Sequence, residues 1–372
     1  MSFPDLDAIE VSAPSYVMPA AILFTHPSRV TDSWTPLPES VWLPPRQVSS
    51  GSIVIAVRPG KTRAHCIPLR PWNLKRILNT RRTLRLADRL VFDARFETDK
   101  NVAHQFGSVA CRVLLARREL SAALGREVEI TVILRDGATG YSQAIHRQLG
   151  FPVLTTDSQV DAQLVEVVDN SVSTYQNGRM IFSGGSHASQ ALTPSLLSQA
   201  PLQTRDPGEL PEKIFISRRR SRCITNEDEI TRILEVRGFR RFYFEEESYE
   251  RQMLLCRHAR AIVAIHGAAM AYMVLNGNGL TRTAGDRSGL RIVELFGPGY
   301  SVDCYRRYAA ILNAHWCGVR GQITSEVLRD LDERNMPRRH EASSFRVDPM
   351  SLEMALDHSE RASATEMPLS SD

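Results

Sequence analysis

The sequence predicts an α/β protein built on parallel, doubly wound sheets, and three observations carry that prediction. First, from residue 213 to 296 short apolar runs rich in Ile, Val and Phe alternate with segments of helical spacing, the pattern of consecutive strand-helix units. Second, helix start and stop residues fall where those units need them. Thr225 or Asn226 is followed by Asp228 or Glu229 at the capping-box position, Ser248 precedes the next helix, and Gly238 lies just past a helix end. Third, 372 residues suffice for two such domains, each with a substantial core.

Along the chain, residues 1 to about 50 are rich in Pro, Ser and Trp and read as an irregular lead-in packed on the surface. Strands are expected at 53–57, 89–92, 128–134, 165–168 and 180–182. The spacing predicts helices over 102–124 and over 141–149, the second closed by Gly150. A polar stretch from 183 to 211, with four prolines and two adjacent glycines, reads as a linker. The second half alternates more cleanly: strands at 214–216, 242–244, 261–265 and 291–295, and helices at 226–237, 248–258, 268–275 and 305–312. Asp348 is placed to cap a last amphipathic helix over 349–356 that docks on the body. The expected domains are thus an N-terminal α/β domain over 1–190, a linker over 191–211, a C-terminal Rossmann-like domain over 212–330, and a tail over 331–372.

Composition narrows the function classes. The net charge is +4, yet only four of the 46 basic residues are lysines, so the positive charge is nearly all arginine, which suits bidentate phosphate recognition. No lysine-rich tract and no basic run interleaved with aromatics occurs, which argues against nucleic acid as a partner. The six cysteines form no Cys-x-x-Cys pair and read as reduced structural thiols. The first residues are acidic rather than basic and no h-region follows, so no signal peptide is expected. The longest nearly apolar run, 261–275, is too short to span a bilayer. A cytoplasmic protein is the expectation, with peripheral membrane association and homo-oligomerisation left open.

The chemistry concentrates in the second half. Ser217-Arg218-Arg219-Arg220-Ser221-Arg222 follows the strand Ile214-Phe215-Ile216, placing guanidinium groups at the carboxyl end of a parallel strand, where open α/β sheets bind ligands. Arg218, directly after the strand, and Arg222, just before the helix, are the better phosphate ligands, with Asn226 at the helix start; Arg219 and Arg220 read as a solvated face. His266-Gly267-Ala268-Ala269 follows a buried strand and opens a helix, so small residues let backbone approach an anion at the helix N-terminus. Glu294 near the end of its strand could accept both hydroxyls of a ribose or pair with an arginine. In the first half His104 has the pKa range of a general base, with Asp93, Glu97 and Asp99 as lower-ranked alternatives. Gly277-Asn278-Gly279 lacks the strand a dinucleotide fingerprint requires, and there is no Walker loop or nucleophile elbow. Asp5-Leu6-Asp7 and Asp330-Leu331-Asp332 do not follow core strands, so no metal site is assigned and no cofactor is expected.

In order, Ile-Ser-Arg, Arg222, Asn226-Glu227, Gly238-Phe239, Gln252, Ala261-Ile262-Val263, His266-Gly267-Ala268 and Val293-Glu294-Leu295 resemble the family 61 glycosyltransferases, including bacterial members of the capsular-polysaccharide-biosynthesis type. The resemblance covers 213–296 and extends more weakly to Asn101-Val102-Ala103-His104, where Val102, Ala103 and Gln105 replace the family's usual bulky neighbours. It implies a GT-B-like fold of two Rossmann-like domains with a donor cleft between them, the donor held by the C-terminal domain and the acceptor by the N-terminal one. It also implies inverting, metal-independent transfer from a nucleotide-sugar donor to a glycan, lipid-linked glycan or protein acceptor. Arg218 and Arg222 would neutralise the diphosphate, Glu294 hold the ribose, the turn at His266, Gly267 and Ala268 offer backbone N–H groups, and His104 deprotonate the acceptor. The competing expectations are a non-catalytic nucleotide- or anion-binding α/β protein, or another phosphate-dependent transferase on the same fold.

Overall fold

The computed structural model describes residues 6–25, 39–48, 51–62, 83–96, 101–169, 175–176, 179–180, 187–202, 208–278, 280, 289–298, 304–323 and 343–362. It is mixed α/β and divides into two compact units, one made of Met1–Ser15 with Ser49–Gln203, the other of Tyr16–Val48 with Thr204–Asp372. Neither unit is therefore a single stretch of chain. The described residues of the segment expected to be an irregular lead-in are largely strand, and 16–48 goes with the C-terminal half.

The first unit carries a six-stranded mixed sheet in the order Ile9–Ala13, Gly51–Lys61, Gln159–Asp169, Thr83–Asp93, Ile130–Leu134, Val153–Thr155. The first two contacts are antiparallel and the last three parallel. Every residue of Ile130–Leu134 is buried, as expected of a central parallel strand covered on both faces. Val91, Ile133, Val160 and Ala162 form a core beneath it. The helix expected over 102–124 is present but interrupted. Val102–His104 is α-helical, Gln105–Ala110 is a π-helical segment, and Cys111–Leu124 returns to α geometry. The wider turn carries Gln105 inward, fully buried, to meet His146 Nε2 at 3.0 Å. The stretch read as a linker holds two short helices, His187–Leu192 and Pro194–Gln199, anchored by Ser189, whose N–H and hydroxyl both donate to Asp169.

The second unit is organised around a seven-stranded sheet in the order Arg240–Tyr243, Lys213–Ser217, Ala261–Ile265, Arg291–Phe296, His315–Arg320, Ala21–Thr25, Glu39–Leu43. Six strands run parallel and the edge strand Glu39–Leu43 pairs antiparallel with Ala21–Thr25. The strands expected at 214, 242, 261 and 291 are all present. His315–Arg320, Ala21–Thr25 and Glu39–Leu43, unforeseen, complete the sheet.

Glu227–Val236 ends at Gly238, whose φ of +81° is the left-handed geometry glycine tolerates best. Ser248 caps Tyr249–His258 by accepting from the Arg251 N–H at 3.2 Å. The final helix, Pro349–Ala362, runs longer than expected. Asp348 accepts from the N–H and hydroxyl of Ser351, both at 2.8 Å. Its Leu352, Ala355 and Leu356 belong to the same core as Phe24, Phe215, Val263, Leu295 and Val319. Hydrophobic burial at both ends of the unit's chain thus holds together the strand ends that carry the site. No helix among the described residues is long and apolar enough to cross a membrane.

Candidate functional site

The arginine loop leaves the sheet after Ser217 and is fixed at both ends. The Ser217 hydroxyl donates a short hydrogen bond to Glu227 Oε1, and the Tyr243 hydroxyl donates to the same oxygen at 3.0 Å. Glu227 lies in the first turn of its helix, where a carboxylate is favoured by the helix dipole. Across the loop, the Phe345 N–H donates to the Cys223 carbonyl at 2.9 Å and the Thr225 N–H to the Phe345 carbonyl at 2.8 Å. Asn226 completes this tie. Its amide donates to the Val347 carbonyl at 2.9 Å and to Glu229 at 2.8 Å, and its carbonyl oxygen accepts from the Val347 N–H at 3.1 Å. Asn226, expected among the substrate ligands, is thus buried and links the helix start to the C-terminal segment.

Between these ties Arg218 and Arg222 converge on one atom. Arg218 Nη1 lies 3.4 Å and Arg222 Nη1 3.3 Å from the carbonyl oxygen of His266, and Arg218 Nη2 lies 3.3 Å from Ser221 Oγ. Arg222 adopts φ +57°, an uncommon conformation for a residue with a side chain and one that concentrates at functional sites. Burial, and after it the charge of the neighbouring Arg222, hold the Arg218 guanidinium below the ordinary arginine value, while Glu245 acts in the opposite direction. Two like charges are thus brought together in a half-buried place, an arrangement that a bound anion would relieve. The fate of Arg219 differs: exposed, it pairs with Glu246 at 2.7 Å and lies over the Tyr243 ring.

The third wall is the turn at His266, Gly267 and Ala268. The His266 N–H donates to the Leu295 carbonyl at 2.8 Å, and the Tyr305 hydroxyl donates to the Gly267 carbonyl at 2.7 Å. Ala268–Leu275 then runs as a 3₁₀ helix rather than the α-helix expected, its first N–H groups lacking intrahelical partners. A β-carbon at Gly267 would lie 2.5 Å from Arg218 Nη1, so a side chain there would push that guanidinium aside.

Glu294 has a different place from the ribose-facing one expected. It is fully buried. Its Oε1 is 2.5 Å from His266 Nδ1 and its Oε2 accepts from Trp316 Nε1 at 2.8 Å, so both oxygens have a protein partner. The His266 ring is stacked on Phe296, with centroids 5.3 Å apart, and meets Tyr305 edge-on at 5.4 Å. The sequence reading missed Trp316, Tyr305 and Phe296. The first lies in the unforeseen strand His315–Arg320, whose apolar Trp316, Cys317 and Val319 were the available signal.

The remaining expected residues belong to the first unit. His104 is exposed on the first helical turn after Asn101, which caps it by accepting from the Ala103 N–H at 3.0 Å. Asp93, expected as a candidate base, is engaged by an arginine. Arg95 Nε and Nη2 donate to its two oxygens, both at 2.8 Å, and Arg95 is itself buried, with further bonds to Ser158 and Thr62. An acid so occupied neutralises a buried cation. Glu97, Asp99, Asp5 and the pair Asp330 and Asp332 lie outside the described residues. Among the described residues, no three His, Cys, Asp or Glu side chains gather as they would around a metal ion.

Compared with protein families, residues 74–282 match the family described as Glycosyltransferase 61. That is more than half of the chain, and it includes Arg218, Arg222, His266 and His104. No curated protein matches the sequence.

Proposed function

The chain belongs to glycosyltransferase family 61, and on that premise we propose that it moves a sugar from a nucleotide-sugar donor to a hydroxyl of a glycan, lipid-linked glycan or protein acceptor, with inversion and without a metal ion. Membership makes it a glycosyltransferase with a donor and an acceptor substrate; the sugar-nucleotide donor, stereochemistry and metal independence are the proposal. The observation that carries it is the meeting of Arg218 and Arg222 at the His266 carbonyl, beside a glycine and at the carboxyl ends of parallel strands. Such a site suits a diphosphate leaving group, whose growing negative charge two guanidiniums and the first N–H groups of the 3₁₀ helix would stabilise. As the bond from the anomeric carbon to the phosphate oxygen breaks, the acceptor oxygen bonds to that carbon from the opposite face. Its proton passes to His104. The GT-B arrangement and a role in bacterial polysaccharide biosynthesis belong to the same proposal.

The test is a thermal-shift and calorimetric screen against UDP-, GDP-, CMP- and TDP-sugars, repeated with Arg218→Ala and Arg222→Ala. One donor class should stabilise the wild type and lose affinity in both variants. Equal binding by wild type and variants would remove the donor site from this loop. Transfer or donor hydrolysis that survives EDTA supports the metal-free route, and abolition by EDTA overturns it. Binding with neither transfer nor hydrolysis would point to a non-catalytic binding protein.

A further inference from the structure

We propose that Glu294 and Trp316 are positioning residues of the donor site: together they dictate which nitrogen of His266 carries its proton, and so hold the turn on which Arg218 and Arg222 meet. The inference rests on the donor-site reading of those two arginines.

With Glu294 ionised, the hydrogen-bond chemistry leaves one consistent assignment. Trp316 Nε1 can only donate, and it lies 2.8 Å from Glu294 Oε2. An ionised carboxylate only accepts, so the other oxygen, 2.5 Å from His266 Nδ1, requires the proton on Nδ1. Glu294 and Trp316 are buried, where an unmatched donor or acceptor is costly. The ring so fixed is packed by Phe296 and Tyr305. Leu295 holds the residue's own N–H and Tyr305 the next carbonyl. One face of the turn is therefore gripped by protein, and the His266 carbonyl is the place where the two guanidiniums converge. Glu294 acts on the arginine pair through His266.

Glu294→Gln tests this with little change of shape. Glutamine offers one acceptor and one donor, and the indole claims the acceptor. The amide NH₂ then faces His266 Nδ1, which must give up its proton, so the neutral ring is forced into the Nε2–H form. Nitrogen-15 NMR of labelled histidine at pH 8 should show the proton on Nδ1 in the wild type and on Nε2 in E294Q. Affinity for the nucleoside diphosphate selected by the donor screen should weaken about tenfold in E294Q, the scale of one charge-assisted hydrogen bond. In E294Q/W316F no indole competes, the glutamine oxygen turns to His266, and both the Nδ1 proton and the affinity should return.

A wild-type ring protonated only on Nε2 overturns the inference without any variant, so a misfolded E294Q would not shelter it. Retention of the Nδ1 proton in E294Q overturns it too, as does unchanged affinity or failure of the double variant to recover. If Arg218→Ala weakens nucleotide binding and E294Q does not, this inference fails alone. If neither arginine variant weakens it, the donor-site reading falls and this inference falls with it.

Discussion

Replacing Gly267 with alanine separates the site from the scaffold. Its backbone, at φ 161° and ψ 176°, is extended, so alanine adopts it without strain, and the cost is confined to what the new methyl meets. That neighbour is Arg218 Nη1, 2.5 Å away, with Cζ at 3.4 Å. A flexible guanidinium can retreat by about 1 Å to reach ordinary van der Waals contact. With an effective dielectric near 20, moving a cation from about 4 to about 5 Å from a doubly charged diphosphate costs about 1.7 kcal/mol. That corresponds to a roughly tenfold to twentyfold weaker Kd, while folding stability should change by about 1 kcal/mol or less. Calorimetric titration with a nucleoside diphosphate, together with a melting curve, reads both quantities. Wild-type affinity in Gly267→Ala, or a large fall in Tm with unchanged affinity, would refute the reasoning. Gly318→Ala gives the contrasting outcome. Its β-carbon would lie 2.8 Å from Leu23, 3.0 Å from Phe296 and 3.2 Å from Trp316, so overpacking should cost about 1–3 kcal/mol of stability.

Three further outcomes are expected. Asp93→Asn removes the carboxylate to which two nitrogens of the buried Arg95 donate and should destabilise the first unit by about 3–5 kcal/mol, seen in denaturant melts; a stable variant that has only lost turnover would favour Asp93 as a base. Burial pushes the His146 imidazole down to about 4. Between pH 6.5 and 4 the unfolded chain therefore takes up a proton that the folded one refuses, and stability falls with pH by about 3 kcal/mol in all. His146→Gln, which still donates to Gln105, should flatten that part of the stability-pH profile. His104→Ala should reduce kcat far more than donor affinity, and equal losses in both would argue against its role as base.

The second unit's central strands and helix caps were legible in the sequence because local signals mark them. Ser248 and Gly238 act where their chemistry says they should. The arginine ranking also followed from position, since a residue next to a strand end and one next to a helix start point back toward the sheet. What the sequence concealed was tertiary in origin. Ala21–Thr25 and His315–Arg320 are neighbours in the sheet although nearly 300 residues apart in sequence, and no local window contains that partnership. Glu294 reads as a ligand by its place at a strand end, yet a donor-only indole on the neighbouring strand turns it inward. The same holds for Asp93, whose neighbour two residues on claims both its oxygens. A carboxylate's role depends on the donors that fold around it, and strand position alone does not specify them.

The pairing of Ala21–Thr25 with His315–Arg320 also sets an order of events during synthesis. The first unit can complete its sheet once Gln159–Asp169 is made, whereas in the second the early strand Ala21–Thr25 has only the edge strand Glu39–Leu43 to pair with until His315–Arg320 leaves the ribosome. Until then Ala21–Thr25, with buried Ala21, Leu23 and Phe24 in the finished protein, is an apolar strand without its central neighbour, and a template for wrong pairing. A fragment beginning at 204 would make the same vulnerability permanent. It would keep the arginines and the His266 turn, yet expose His315–Arg320 as an open edge. Such a fragment should aggregate unless residues 16–48 are supplied with it.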